Sequence, residues 1–198
     1  LQTKISFSVP QLNTEAEIMA QYYSIILEAI QNQHVLGLRH TSFFKSHPES
    51  REVEPYHVVH IEGMWYLVAY CRLRHEFRTF AMARIQELRL LDKQFSPQPF
   101  NINSYLKYAW LIERGKKYDV ELLFSAKQAP WIKERLWHPQ QVLQEADGGK
   151  LYYKVRVTGL GEIKRWVLQY GAEVEVLKPL ELRASIMREV EEMQNMYS

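Results

Sequence analysis

Apolar side chains recur at helical spacing near the start of the chain, where Ile18, Tyr22, Ile25, Ile26, Ala29 and Ile30 fall on one face. Thr14 followed by Glu17 is a capping-box pattern, so an amphipathic helix is expected over 14–33. From His34 the period shortens. Segments 34–41, 51–61, 64–74, 77–84 and 85–91 read as strands, and Glu62-Gly63 and His75-Glu76 are short enough to join hairpins. One helix followed by five closely spaced antiparallel strands predicts a small barrel of the SH3 or Sm type.

Residues 95–100 contain Pro97 and Pro99 and read as a linker, followed by a short helix over 103–113 that Gly115 ends. The rest has a different rhythm: a strand over 117–124, a helix over 126–136, and strands over 140–145 and 151–157 joined by Asp147-Gly148-Gly149. A helix over 160–170 stopped by Gly171, a strand over 173–177 and a helix over 180–196 opened by Pro179 complete it. The order β-α-β-β-α-β-α is the split βαβ, ferredoxin-like pattern plus one helix. The expected class is α+β. It is organised as an arm over 1–13, a helix and Sm-like barrel over 14–94, a linker and short helix over 95–115, and a ferredoxin-like domain over 116–198.

Composition narrows the function classes. Hydrophobic residues make up 46% and aromatic residues 13%, enough to fill a core. A net charge of +2 is too mild to mark a constitutive nucleic-acid binder, so any anion site must come from local clustering. The single cysteine, Cys71, excludes an intramolecular disulfide, and its place on an apolar strand face reads as a small buried hydrophobe. No apolar run is long enough to cross a bilayer and the N-terminus lacks a signal-peptide pattern, so a cytoplasmic setting is expected. The missing initiator Met reads as the mark of a fragment. His57 and His60 fall on opposite faces of a strand, and no HExxH, CxxC, GxSxG, P-loop or GxGxxG is present. No metal, cofactor or catalytic residue is therefore expected, and the chain does not read as an enzyme.

Two stretches carry a family resemblance. Gly63-Met64-Trp65-Tyr66-Leu67-Val68-Ala69-Tyr70-Cys71-Arg72, with Phe77-Arg78-Thr79-Phe80-Ala81-Met82-Ala83-Arg84-Ile85, resembles the WYL domain, named for the tripeptide found here as Trp65-Tyr66-Leu67. That family follows the tripeptide with Arg-x-Phe-Arg-Leu-Asp-Arg-Ile and precedes it with Arg-x-x-x-Pro, matched by Arg51 and Pro55. The second stretch runs from Lys133 to Gln141 and from Gly159 through Trp166 and Tyr170 to Pro179, and is similar to the extension that follows WYL domains in their regulators. Together the matches span about residues 14–196. The resemblance implies an effector-sensing and dimerisation region of a bacterial transcription regulator. Its barrel would bind an anionic effector, single-stranded DNA or a nucleotide, and operator DNA would be read by an N-terminal helix-turn-helix not contained in this sequence.

The residues of the barrel fit that chemistry. Alternation puts Tyr66, Tyr70 and Arg72 on one face of their strand, and Trp65, Leu67, Ala69 and Cys71 on the other, apolar one. Arg78, Phe80, Met82 and Arg84 share a face unless a bulge or strand end intervenes near Arg84. Guanidinium groups bind phosphate oxygens in pairs, and tyrosines offer stacking surfaces and hydroxyls. The candidate site is therefore Arg51, Arg78 and Arg84 with Tyr66, Tyr70 and Arg72. His40 and Ser42 stand where the family tends to place a Tyr and a Ser. Two alternatives stay open: the arginines pair with Glu52, Glu54 and Glu76, and the tyrosines belong to the core. Ala81 and Ala83 replace the family's middle Arg and its Asp, so one polar patch is lost. A protein-interaction or accessory module of a nucleic-acid enzyme or defence system, with no small ligand, is the competing reading.

Overall fold

The computed structural model describes residues 16–41 and 47–198, with the backbone alone over 16–19. The arm over 1–13, the Thr14–Glu17 capping box and Ser42 lie outside the described residues. The chain divides into two compact units, Leu1–Phe100 and Asn101–Ser198. The class is α+β, with two antiparallel sheets. No helix among the described residues is long and apolar enough to cross a membrane.

The first unit holds α1 (Ala16–Asn32), β1 (His34–His40), β2 (Glu49–Ile61), β3 (Met64–Cys71), β4 (Glu76–Ala81) and β5 (Ile85–Gln94). The strands form one sheet in the order β4-β3-β2-β1-β5. Period-two alternation makes the core: Leu67, Ala69 and Cys71 of β3 pack with Leu36, Leu38 and Val53, and against Ile26 and Ala29 of α1. Glu62 and Gly63 have φ of 47° and 80°, the doubly positive backbone of a tight hairpin turn, which Gly63 adopts without strain. The strand expected over 77–84 is broken. β4 ends at Ala81, Met82–Arg84 form a 3₁₀ turn that buries Met82, and the chain then enters β5. No ladder joins β4 to β5 among the described residues, so no closed barrel is found there, and Met82–Arg84 run between the two edge strands. Part of the expected linker belongs to this unit. Phe95 and Phe100 pack on Tyr56, whose hydroxyl accepts the Gln98 N–H at 2.9 Å.

The second unit holds α2 (Ile102–Leu106), β6 (Lys117–Phe124), α3 (Ala129–Lys133), β7 (Val142–Glu145), β8 (Leu151–Thr158), α4 (Gly161–Leu168), β9 (Val174–Lys178) and α5 (Leu180–Tyr197). Its sheet runs β7-β8-β6-β9, with Phe124, Tyr153, Ile132, Ile163, Trp166 and Leu182 in the core. From β6 onward the element order is the β-α-β-β-α-β-α expected. The helix expected over 103–113 stops at Leu106, because its later amides bond elsewhere. The N–H groups of Leu111, Ile112 and Glu113 donate to the buried Glu162 carboxylate of α4, at 2.8–3.1 Å for one of its oxygens. Reciprocally, the Glu113 carboxylate accepts the Glu162 N–H at 2.8 Å. Gly159 (φ +72°) and Gly161 leave room for the Glu113 side chain, which a Cβ at Gly159 would strike at 2.2 Å. A carboxylate accepting amides in this way makes strong, charge-assisted bonds.

Candidate functional site

In an antiparallel sheet, directly opposed residues point to the same side. His40 opposes Glu49 and Ile85, and Arg51 opposes Leu38, so both lie on the core-facing side. There the His40 ring is buried, with Phe80 edge-on at 5.4 Å. The ring hydrogen-bonds the backbone of Ala81, and Nε2 is buried with no partner among the described residues. Burial pushes the His40 pKa down to about 4. The positive charge of Arg84 acts in the same direction, as does that of Arg51 more weakly, and the Ala81 bond opposes them. Arg84 ends the 3₁₀ turn, where its carbonyl accepts the Thr41 N–H at 3.2 Å. The Arg51 side chain is 10% exposed, ion-paired with Glu49 and bonded to the Ser50 carbonyl at 2.9 Å. The positive charges of Arg84 and Arg51 thus both act on the buried His40 imidazole, and the Glu49 carboxylate pairs with Arg51.

The other candidates lie elsewhere. Tyr66 and Tyr70 project from the opposite side of β3. Tyr66 is buried with its hydroxyl on the Met64 Sδ at 3.6 Å, and Tyr70 stands edge-on to Phe77 at 5.5 Å. Arg72 follows the end of β3 and pairs with Glu54 at 2.9 Å and Glu52 at 3.8 Å. Arg78 opposes Ala69, on the side away from Tyr66 and Tyr70, and is 45% exposed with Glu76 at 3.4 Å. The carboxylates that the sequence offered as arginine partners, Glu52, Glu54 and Glu76, are the ones these two arginines meet. Sequence reasoning missed Glu49, whose signal was only its place two residues before Arg51 on the same strand face. Trp65, read with Leu67, Ala69 and Cys71 on the apolar face, is on the core-facing side but 37% exposed, because β3 has only just begun at Met64.

Comparison with known proteins agrees with these two units. The WYL domain matches residues 21–90 and the WCX domain residues 116–194. The chain is 28% identical over 151 residues to YobV of Bacillus subtilis (strain 168), an uncharacterized HTH-type transcriptional regulator. That match takes in 74% of this chain and 47% of the relative, so the chain spans about half the length of that protein. Among solved structures, a CRISPR Cas-related protein superposes with a TM-score of 0.62 at 11% identity, over 92% of this chain and 52% of the other, a likeness of fold. The proteasome accessory factor PafBC of Arthrobacter aurescens gives a TM-score of 0.42 at 23% identity, over 90% of this chain and 27% of the other. The chain is thus a WYL domain followed by a WCX domain.

Proposed function

We propose that this chain is the effector-sensing and dimerisation region of a DNA-binding transcriptional regulator, and that its first unit binds an anionic effector, single-stranded DNA or a nucleotide, at His40, Arg51 and Arg84. The action of the Arg84 and Arg51 charges on the buried His40 is the observation that carries the reading. A helix-turn-helix elsewhere in the full-length protein would read operator DNA, in keeping with the name of the B. subtilis relative. Effector binding would act by favouring one of two arrangements of the paired DNA-reading domains. The test is fluorescence anisotropy of a short labelled single strand at low and high salt. Wild-type binding is expected to weaken as salt rises. Arg51→Ala and Arg84→Ala are each expected to weaken it about tenfold, and Arg78→Ala to change it little. Equal losses in all three variants would move the site away from the cluster.

The same reading makes α5 the dimer contact. Beyond Leu182, Ile186 packs only partly on the core, and Val190, Met193 and Tyr197 continue its stripe on exposed helix. The spacing of four, three and four is that of a helix–helix seam. Val190→Asp with Met193→Asp is expected to shift the chain from dimer to monomer in sedimentation while its far-UV circular dichroism stays that of the folded chain. A wild type that sediments as a monomer at tens of micromolar would remove dimerisation from the proposal.

One patch favours a second reading, a protein-interaction module. Trp131 and Leu136 are exposed beside Arg135, whose guanidinium lies over the Trp131 and Trp137 rings at 4.5 and 5.4 Å. Exposed Trp and Arg of this kind recur at protein interfaces. If no single strand or nucleotide binds the wild type, this reading takes precedence.

A further inference from the structure

Two buried donors of the second unit have nothing to donate to. The indole Nε1 of Trp166, on α4, and the Tyr170 hydroxyl just beyond that helix are buried with no hydrogen-bond partner among the described residues. Trp166 as a whole is only 8% exposed. The two rings stand edge-on at 5.2 Å, and Phe124 packs on both at 5.7 and 5.3 Å. Burial pushes the Tyr170 pKa up, while the Gln169 amide, the charge of Arg135 and the Trp166 and Trp131 indoles hold it down. These groups therefore gather round the hydroxyl without closing a hydrogen bond to it. Trp137 shows the ordinary arrangement: its N–H donates to the Ile132 carbonyl at 3.1 Å. The Arg135 guanidinium lies over the Trp131 and Trp137 rings at 4.5 and 5.4 Å, and no carboxylate pairs with it among the described residues. An indole N–H donates and cannot accept, and a guanidinium likewise. What the cluster lacks is an acceptor, and one with negative charge.

We infer that Arg135, Tyr170, Trp166 and Trp131 form a site for a small organic acid, a carboxylate carried on an apolar body. Its oxygens accept from the Trp166 and Tyr170 donors and from the guanidinium, as charge-assisted bonds. The apolar body covers Trp131 and Leu136, which are exposed. Water in the same place satisfies the donors and leaves Arg135 with no counter-charge. A phosphate dianion brings one charge more than a single guanidinium neutralises among rings. A partner protein laid on Trp131 and Leu136 covers those side chains and leaves the buried donors unfilled, which separates this site from the protein-contact reading of the same patch. The inference also stands apart from the anion site proposed for the first unit, since all four residues belong to the second.

The experiment follows the five indole N–H signals of the isotope-labelled chain by proton–nitrogen NMR. Trp65→Phe, Trp110→Phe, Trp131→Phe and Trp137→Phe assign four of them and leave Trp166 as the remainder. The probes are phenylpropionate, its uncharged amide, and acetate. Phenylpropionate is expected to move the Trp131 and Trp166 signals together and saturably, and to leave Trp65 in place. The amide, which lacks the charge, and acetate, which lacks the body, are each expected to bind about tenfold more weakly. Arg135→Ala is expected to weaken phenylpropionate about tenfold, with Arg135→Lys keeping part of the affinity. Tyr170→Phe, which keeps the ring, is expected to weaken it severalfold. If Tyr170→Phe fails to fold, the exposed Arg135 carries the comparison. Movement of Trp131 alone, equal for acid and amide, overturns the site and leaves an exposed ring that collects apolar molecules. A wild type in which no signal moves also overturns it, and leaves the buried donors to water.

Discussion

Glu162→Ala is expected to lower the unfolding free energy of the second unit by about 3–5 kcal/mol, because three backbone donors lose their acceptor at once. The N–H groups of Leu111, Ile112 and Glu113 all end on this one buried carboxylate, in a stretch with no helical carbonyls to take them back. The Glu113 carboxylate, braced against Gly159 and Gly161, completes the clasp through the Glu162 N–H. Glu162→Gln keeps an acceptor oxygen but turns an amide NH₂ toward donors, so it should lose about half as much. Urea unfolding followed by tryptophan emission measures both, since four of the five tryptophans belong to this unit. A loss under about 1 kcal/mol for Glu162→Ala would mean that water replaces the carboxylate and the clasp contributes little.

Acid is expected to destabilise the first unit through His40 by about 3 kcal/mol between pH 6.5 and pH 4. The folded-state pKa of His40 lies at about 4, against an ordinary value of 6.5. Below pH 6.5 the unfolded chain takes up a proton that the folded one refuses. The stability contributed by the neutral ring is therefore complete above pH 6.5 and is lost as pH falls toward 4. Carboxylates and His138 titrate as well, so the measurement is a difference: urea midpoints of wild type and His40→Gln at pH 7 and pH 4.5. His40→Gln should show the smaller fall. Identical slopes would mean that the ring is not held neutral. If the proposed effector binds here, its phosphates favour the imidazolium, so affinity should rise from pH 7 to pH 5 in wild type and stay flat in His40→Gln.

Much of the local structure was legible because it follows from one-dimensional patterns. Ile26 and Ala29 at helical spacing did become the buried face of α1. Leu67, Ala69 and Cys71 at spacing two became the inner face of β3. The pattern failed where a residue's partner lies far along the chain. Helix 103–113 had the right apolar spacing, but Glu162, about fifty residues on, captures its amides. Strand 77–84 alternated correctly as far as Ala81, and there the chain turns to reach β5 beside β1.

The candidate site divides along the same line. The sequence by itself determined which residue types were available: guanidinium groups, tyrosines and an imidazole on adjacent short strands, and carboxylates able to compete for them. Alternation also told which neighbours within one strand share a face. Which strand faces meet was decided only by the tertiary structure, through register. Pairing of Ala69 with Arg78 turns that arginine away from Tyr66 and leaves it to Glu76, while Glu54 and Glu52 take Arg72. The 3₁₀ turn brings the charge of Arg84 to bear on His40, which the sequence places forty-four positions earlier. Charge and hydrogen-bonding capacity are properties of single residues and can be read in order. Desolvation and convergence depend on what surrounds a group in space, and only the folded chain supplies that.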